Sequence, residues 1–348
     1  MAVQFSLLKY KFKVGSGVSS SPAFALSHVF FVTKTGFLIC IDNRRGRFVW
    51  KFKTKCNSLN CLSPSSSPVI ILLVKQTGKN DAAINSNNIT TAVGDENDDA
   101  DDDNNDKHDD NEGGMLQQQT RPIVCIGGVY CLDAYSGSLI FYTPLDNTLT
   151  SSPVGMSNDT LLVIGSTNAT VYCMETSTGL PFWTATLSGG AVTGAVVSDR
   201  FGLVLLGTAV SYNRGQRQGQ GSAPFIYALN GTDGSVVWKY SPAQGQGVSF
   251  LVQPTLDTNC SSSSSGETIF FPGHTPDGFG VLYSLDALTG KVNWAFILNT
   301  RIISRVVMSG EFVFLGAGDG ILYVLDKATG RQAWQSQLDS AISASAGR

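Results

Sequence analysis

The chain has 348 residues, of which 42% are hydrophobic, 10% aromatic and only 15% charged. That is enough apolar material for a large core and excludes a globally disordered chain, while so low a charged fraction disfavours coiled coils and long solvent-washed helices. The net charge of −3 joins two unlike parts: Asp95 to Glu112 holds eleven acids and one base, net −10, leaving 23 bases and 16 acids, net +7, elsewhere.

From the N-terminus, Phe5, Leu7 and Leu8 precede Lys9-Tyr10-Lys11-Phe12-Lys13. A basic region followed by a long apolar stretch is missing, so no signal peptide is expected and a cytoplasmic location is slightly favoured. No run approaches about 18 apolar residues, so no membrane-spanning helix is expected. Five Asn-x-Ser/Thr sequons, at Asn88, Asn158, Asn168, Asn230 and Asn259, barely exceed chance in a chain rich in Asn, Ser and Thr.

An internal repeat organises the chain. Trp50, Trp183, Trp238, Trp294 and Trp334 each lie four residues after a glycine (Gly46, Gly179, Gly234, Gly290 and Gly330), and Phe141 follows Gly137 in the same way. Eight residues before each aromatic stands Asp42, Asp133, Glu175, Asn230, Asp286 or Asp326. Apolar runs of strand length flank each Asp-x-x-Thr-Gly segment; an Asp or Asn side chain can bond its own downstream backbone and glycine supplies a positive φ, so the segment predicts a tight turn between a third and a fourth strand. A second pair of strands precedes it, as at Glu311 to Leu315 before the Gly316-Ala317-Gly318-Asp319-Gly320 turn. Ser-Ser-Pro leads in at Ser20, Ser66 and Ser151. Four short strands in a unit of about 40 to 45 residues predict a propeller blade.

The aromatics are spaced 91, 42, 55, 56 and 40 residues apart. The excess lies in inserts at turns. Thr77 to Thr120, the acidic segment, interrupts the first two strands of the second blade and is expected to be disordered. Ser211 to Pro224 interrupts the fourth blade, and Asp257 to Gly266 the fifth. The predicted fold is all-β: one β-propeller domain over residues 1–348, with six full four-stranded antiparallel blades and partial strands of a seventh. Lys9 to Val14 resembles a fourth strand, and Ser340 to Arg348 the start of a first, so two arrangements are open: an open arc that is part of a seven- or eight-bladed protein, or a six-bladed ring with a spare N-terminal strand.

The Tyr-x-Leu-Asp-x-x-Thr-Gly-x-x-x-Trp signature at Tyr283 to Trp294 and Tyr323 to Trp334, and with Asn for Asp at Tyr227 to Trp238, resembles the pyrroloquinoline-quinone (PQQ) type propeller repeat. The resemblance implies that Trp50, Phe141, Trp183, Trp238, Trp294 and Trp334 dock each blade on its neighbour. Burying each tryptophan would remove on the order of 200 Å2 from water. Ten residues before the aromatic stand small residues, among them Ala228, Ser284, Cys40, Cys131 and Cys173. These three cysteines are expected to act as small buried hydrophobes rather than metal ligands or disulfides; whether Cys56 and Cys61 pair stays open.

The same resemblance raises PQQ-dependent dehydrogenase activity, with PQQ and calcium as cofactors. The chain has no adjacent Cys-Cys pair and lacks the length for eight blades with long active-site loops, and the repeat signature itself is a packing device. No cofactor and no catalytic or metal residues are therefore expected. His28, His108 and His274 are far apart in sequence, and His274-Thr275-Pro276-Asp277 reads as a solvated turn. The expected function is a non-catalytic binding or scaffolding propeller with a protein partner and no nucleic-acid partner. A propeller appendage of a larger acyl-activating enzyme is an alternative; the bacterial outer-membrane assembly lipoprotein of similar type is a non-catalytic precedent, but no lipoprotein signal is read here and that role is not carried over. Arg214, Arg217, His274, Asp277, Arg301 and Arg305 are expected on one end of the propeller as a basic, partner-binding face for an acidic partner.

Overall fold

The computed structural model describes residues 11–18, 20–25, 27–54, 69–74, 120–127, 129–145, 149–209, 223–242, 248–258 and 266–338. Contacts divide the chain into two units: Met1–Leu73 with Pro122–Arg348, and Val74–Arg121, nearly all of which lies outside the described residues.

The described strands form six four-stranded antiparallel sheets, each built from four strands consecutive in sequence. Blade one holds β1 (Ala23–Ala25), β2 (His28–Val32), β3 (Phe37–Asp42) and β4 (Arg47–Lys53). Blade two holds β5 (Val69–Val74), β6 (Thr120–Ile126), β7 (Tyr130–Asp133) and β8 (Leu139–Tyr142). Blade three holds β9 (Val154–Met156), β10 (Leu161–Gly165), β11 (Thr170–Glu175) and β12 (Pro181–Thr186). Blade four holds β13 (Val192–Ser198), β14 (Leu203–Thr208), β15 (Ile226–Asn230) and β16 (Val236–Tyr240). Blade five holds β17 (Thr255–Asp257), β18 (Thr268–His274), β19 (Gly280–Asp286) and β20 (Val292–Leu298). Blade six holds β21 (Val307–Ser309), β22 (Phe312–Gly316), β23 (Ile321–Asp326) and β24 (Gln332–Gln337). This is a β-propeller of the expected blade type.

Burial explains the apolar pattern of each strand. The middle strands β7 and β14 are buried at every position, because other blades cover both of their faces, and so they read as unbroken apolar runs. The fourth strand β20 alternates half-buried and exposed, having one face toward water. Core clusters fill the spaces between blades: Phe30, Leu38 and Trp50 pack with Val124, Tyr130 and Leu132 between blades one and two. Phe270 and Leu282 pack with Val313, Leu315 and Leu325 between blades five and six.

The repeated turn joins the third and fourth strands of every blade. Oδ1 of Asp326 accepts from the Thr329 backbone at 2.8 Å and its hydroxyl at 2.7 Å, and Asp286 does the same with Thr289 at 2.8 and 2.7 Å. The glycine closing the turn donates back to the acidic residue's carbonyl, as from Gly330 to Asp326 at 2.9 Å. Just beyond, each pair of strands carries a bulge. Cys40, Cys131, Cys173, Ala228, Ser284 and Val324 lie directly opposite the repeat aromatic, and the register shifts at the next residue. The small residue ten positions before the aromatic is thus its cross-strand neighbour, where bulk would displace the ring.

Three expectations need correction. Cys131 is buried but not a free thiol: it is bonded to Cys125, its cross-strand partner on β6. Cys40 and Cys173 are free, and burial pushes both thiols up to about 12. Residues 11–14 join no strand of the described residues; instead Phe12 and Val14 pack on Val29, Phe31, Ile39 and Ile41 of blade one. Among the described residues no following blade covers Trp334, which is 47% exposed, whereas Trp50 and Trp183 are each 8% exposed. The three inserts, apart from Thr120, Ala223, Pro224, Asp257, Thr258 and Gly266 at their edges, lie outside the described residues, as do Cys56, Cys61 and Ser340 to Arg348.

Candidate functional site

The blade-docking aromatics have one geometry. Trp50 Nε1 donates to the carbonyl of Ala134 at 3.1 Å, Trp183 to Gly231 at 2.8 Å, Trp238 to Ala287 at 3.0 Å and Trp294 to Lys327 at 3.0 Å. Each acceptor is the residue that follows the Asp or Asn of the next blade's turn. The turn glycine sits under the indole. A Cβ on Gly137 would lie 2.5 Å from Trp50, and one on Gly234 2.5 Å from Trp183. Phe141 lies over Gly179 in the same way, where a Cβ would come within 2.4 Å. The glycine thus serves the turn, through its positive φ, and the junction, by leaving room for the ring.

At one end of the blades, the segment leading into a blade bridges to the end of that blade's second strand. Val18 pairs with Thr33, Leu149 with Ser166, Ser249 with His274 and Ile302 with Ala317. Hydroxyls close the adjoining turns there: Thr33 Oγ1 accepts from the Phe37 N–H at 3.1 Å, and Thr275 Oγ1 from Phe279 at 3.1 Å. His274 is therefore the last residue of β18, half-buried beside a turn that Thr275 closes, rather than a solvated loop residue. The connection between blades five and six lies against this turn, since a Cβ on Gly280 would meet the Thr300 carbonyl at 2.5 Å and Ile302 at 2.9 Å. Its Arg301 accepts a backbone hydrogen bond from Gly318 of blade six at 3.0 Å. Burial and then the Arg301 charge hold the His274 imidazole below its usual value of 6.5, so it is neutral at pH 7.

The structure thus brings His274 and Arg301 together. Asp277 lies exposed in the same β18–β19 turn, and Arg305 exposed farther along the connection that carries Arg301. Arg214 and Arg217 lie outside the described residues. The positive charge among the described members of this group comes from Arg301 and Arg305, because His274 is uncharged.

Several polar links between blades carry no repeat signature and escaped sequence reasoning. Lys327 Nζ lies 2.9 Å from Asp257 Oδ2, joining blades six and five. Thr255 Oγ1 donates to the Val306 carbonyl at 2.8 Å across the same junction. Buried Ser198 donates to buried Glu267, and Gln253 Nε2 to the Ala195 carbonyl at 2.9 Å, between blades four and five. The only sequence signal for Cys125–Cys131 is a second cysteine six residues away across a short turn.

A quinone held by calcium needs several oxygen donors converging on one point. Among the described residues no three His, Cys, Asp or Glu side chains gather to hold a metal ion. The buried carboxylates Asp133, Glu267 and Asp257 are engaged by Ser136, Ser198 and Lys327 respectively.

A search of curated protein sequences gave no match. Among solved structures, BamB from Moraxella catarrhalis is similar at 14% identity and a TM-score of 0.60, covering 97% of this chain and 81% of that one. A europium-containing methanol dehydrogenase is similar at 12% identity and a TM-score of 0.53, covering 97% and 82%. Quinohemoprotein alcohol dehydrogenase ADHIIG from Pseudomonas putida HK5 is similar at 12% identity and a TM-score of 0.50, covering 97% and 68%. At these identities the likeness concerns the fold. The family model described as outer membrane protein assembly factor BamB matches residues 126–274 and 225–348. Most of the repeat-bearing chain thus fits one family description, and the chain belongs to the PQQ-like propeller family represented by the outer membrane protein assembly factor BamB.

Proposed function

We propose that this protein is a non-catalytic binding propeller, and that an acidic protein partner meets the end where the blade connections gather. The observation that carries the reading is the exposed Arg301 on a connection that packs against the turn following the half-buried His274. An arginine fixed by its backbone to the next blade presents charge without the flexibility of a loop lysine. Arg305 follows on the same connection, and Arg214 and Arg217 belong to the Ser211 to Pro224 insert of blade four. The family description supports the reading by naming an assembly factor rather than an enzyme. The acidic insert between β5 and β6 concentrates the opposite charge in a first-to-second-strand connection, away from the arginines in sequence.

The test is retention of the protein on immobilised poly-glutamate at about 0.1 M salt, where charges within about 10 Å still interact. Replacing Arg214, Arg217, Arg301 and Arg305 with glutamine should abolish retention, while a variant replacing four bases of the third-to-fourth-strand turns at the opposite end of the blades (Arg44, Arg45, Lys291 and Arg331) should keep it. Equal retention of both variants would sink the proposal. Addition of PQQ with calcium should leave the absorption spectrum of the quinone unchanged; a stoichiometric shift with dye reduction would favour the dehydrogenase reading instead.

A further inference from the structure

A polar group at the junction of blades three and four follows no repeat. Lys239 of β16 lies directly across from Tyr227 of β15. At the same position the repeat tyrosine faces Tyr142, Thr184, Ala295 or Gln335 in blades two, three, five and six. Lys239 Nζ donates to Ser188 Oγ at 2.7 Å, and Ser188 Oγ lies 2.7 Å from Tyr227 Oη. Tyr227 in turn donates to the Ser188 carbonyl. The ammonium also stands over the Phe225 ring, 3.5 Å from its centroid. An exposed lysine is ordinarily a point charge on a flexible stem. These contacts hold this one in place.

The charge so placed is left over. Lys327 pairs with Asp257, but among the described residues no carboxylate pairs with Lys239. Ser188, Gly189 and Gly190 belong to the short connection between β12 and β13. On either side of them, Leu187 donates to the Ala169 carbonyl and Val192 to that of Ser166. Among the described residues, the N–H groups of Gly189 and Gly190 between them have no acceptor. Gly190 is buried. A buried N–H without an acceptor is rare, because it forfeits a hydrogen bond that water would otherwise supply. The connection cannot easily turn away to find one. Gly189 has φ of +125°, a conformation left to glycine, and a Cβ there would stand 2.8 Å from Thr208 Oγ1.

We infer that the Ser188–Gly190 connection and Lys239 form a binding site for a phosphate group. Successive backbone N–H groups of a turn favour an anion, and an ammonium beside them supplies the opposite charge. Donors from both sources suit the several oxygens of a phosphate. Ser188 and the Phe225 ring position Lys239, whose remaining N–H is the charged donor. The site lies at a different junction from Arg301 and Arg305, so the inference stands apart from the proposed function.

The test follows the Gly189 and Gly190 amide signals by NMR in the full chain as inorganic phosphate replaces chloride at constant ionic strength. Both should shift saturably, and Gly278 of the β18–β19 turn should not. Lys239→Gln should weaken the binding about tenfold or more, through loss of a charged hydrogen bond. Ser188→Ala should weaken it less, and Arg301→Gln with Arg305→Gln should leave it unchanged. Thermal midpoints in chloride check that each variant folds. A phosphoserine peptide that binds these residues more tightly than inorganic phosphate identifies a phosphorylated chain as the source, and equal binding identifies free phosphate. Absence of a saturable shift, an equal response to acetate, or unchanged affinity in folded Lys239→Gln overturns the inference. A lysine that merely braces the connection would lower the midpoint when replaced and give no phosphate-dependent shift in the parent chain, which overturns it too.

Discussion

Replacing Gly234 with alanine should cost the fold about 3 kcal/mol through two separable effects. Gly234 has φ of +74°, a conformation that costs an L-residue about 1 kcal/mol. Its added Cβ would stand 2.5 Å from Trp183 Cε3, 2.9 Å from Cδ2 and 3.0 Å from Cζ3. The ring cannot tip away freely, because it is buried and its Nε1 is bonded to the Gly231 carbonyl at 2.8 Å. Forcing such a contact into a packed junction costs about 2 kcal/mol more. Gly202, in the same blade, has φ of +61° and nothing within 4 Å of an added Cβ. Gly202→Ala should therefore cost only the backbone part, about 1 kcal/mol. In a Trp183→Ala background, itself costing about 4 kcal/mol, Gly234→Ala should also fall to about 1 kcal/mol. Urea unfolding at constant slope measures all four proteins. Equal costs for Gly234→Ala and Gly202→Ala, or no coupling between Gly234 and Trp183, would refute the argument that the turn and the junction share one glycine.

The Cys125–Cys131 bond closes a short loop within blade two, and its removal by Cys125→Ser with Cys131→Ser should cost about 2 kcal/mol; thiol labelling of the denatured, unreduced protein should find Cys40 and Cys173 reactive and these two unreactive. The Thr329 hydroxyl and backbone, and the Arg44 and Arg45 backbone, hold Asp326 and Asp42 below the usual carboxylate value of 3.8. Such groups favour the fold above the unfolded value and lose that contribution as pH falls through the lowered folded value. Asp42→Asn with Asp326→Asn should accordingly flatten the fall of stability with pH below about 4, as measured by urea midpoints, and Asn230 shows that the turn accepts the amide. Arg301→Gln should raise the His274 pKa while leaving it below 6.5, since burial is the larger cause, and an NMR titration of the imidazole protons reads this directly.

The repeat was legible because its residues meet each other. Trp238 lies opposite Ala228 and on Gly290, and both relations are short, fixed spacings within a unit or identical from one unit to the next. Inserts were legible for the opposite reason: they break the spacing at hairpins and leave the paired positions alone. Trp334 was misjudged because a repeat states what a residue does when a neighbour follows, and carries no sign of whether one does. Cys131 was read as a small hydrophobe from its position opposite Phe141, but its bond depends on Cys125, one strand over, and on the register of β6 with β7. The Ser198–Glu267 and Lys327–Asp257 contacts occur once each, so no periodicity marks them. For the candidate site, sequence placed His274 in a turn, while its half-burial came from a neighbouring connection that only the fold brings alongside.

The turn between the third and fourth strands holds one length in all six blades, while the hairpin between the first two strands does not. Two residues separate β21 from β22, and 45 separate β5 from β6. Each doubling of a flexible loop adds only about 0.6 kcal/mol of closure cost, so that difference amounts to roughly 3 kcal/mol. A single residue added between Asp326 and Gly330 would instead carry the glycine out from under Trp294. The scaffold therefore has two kinds of corner, and a fluorescent or enzymatic passenger domain belongs at the β5–β6 crossing, where the chain already tolerates a long detour.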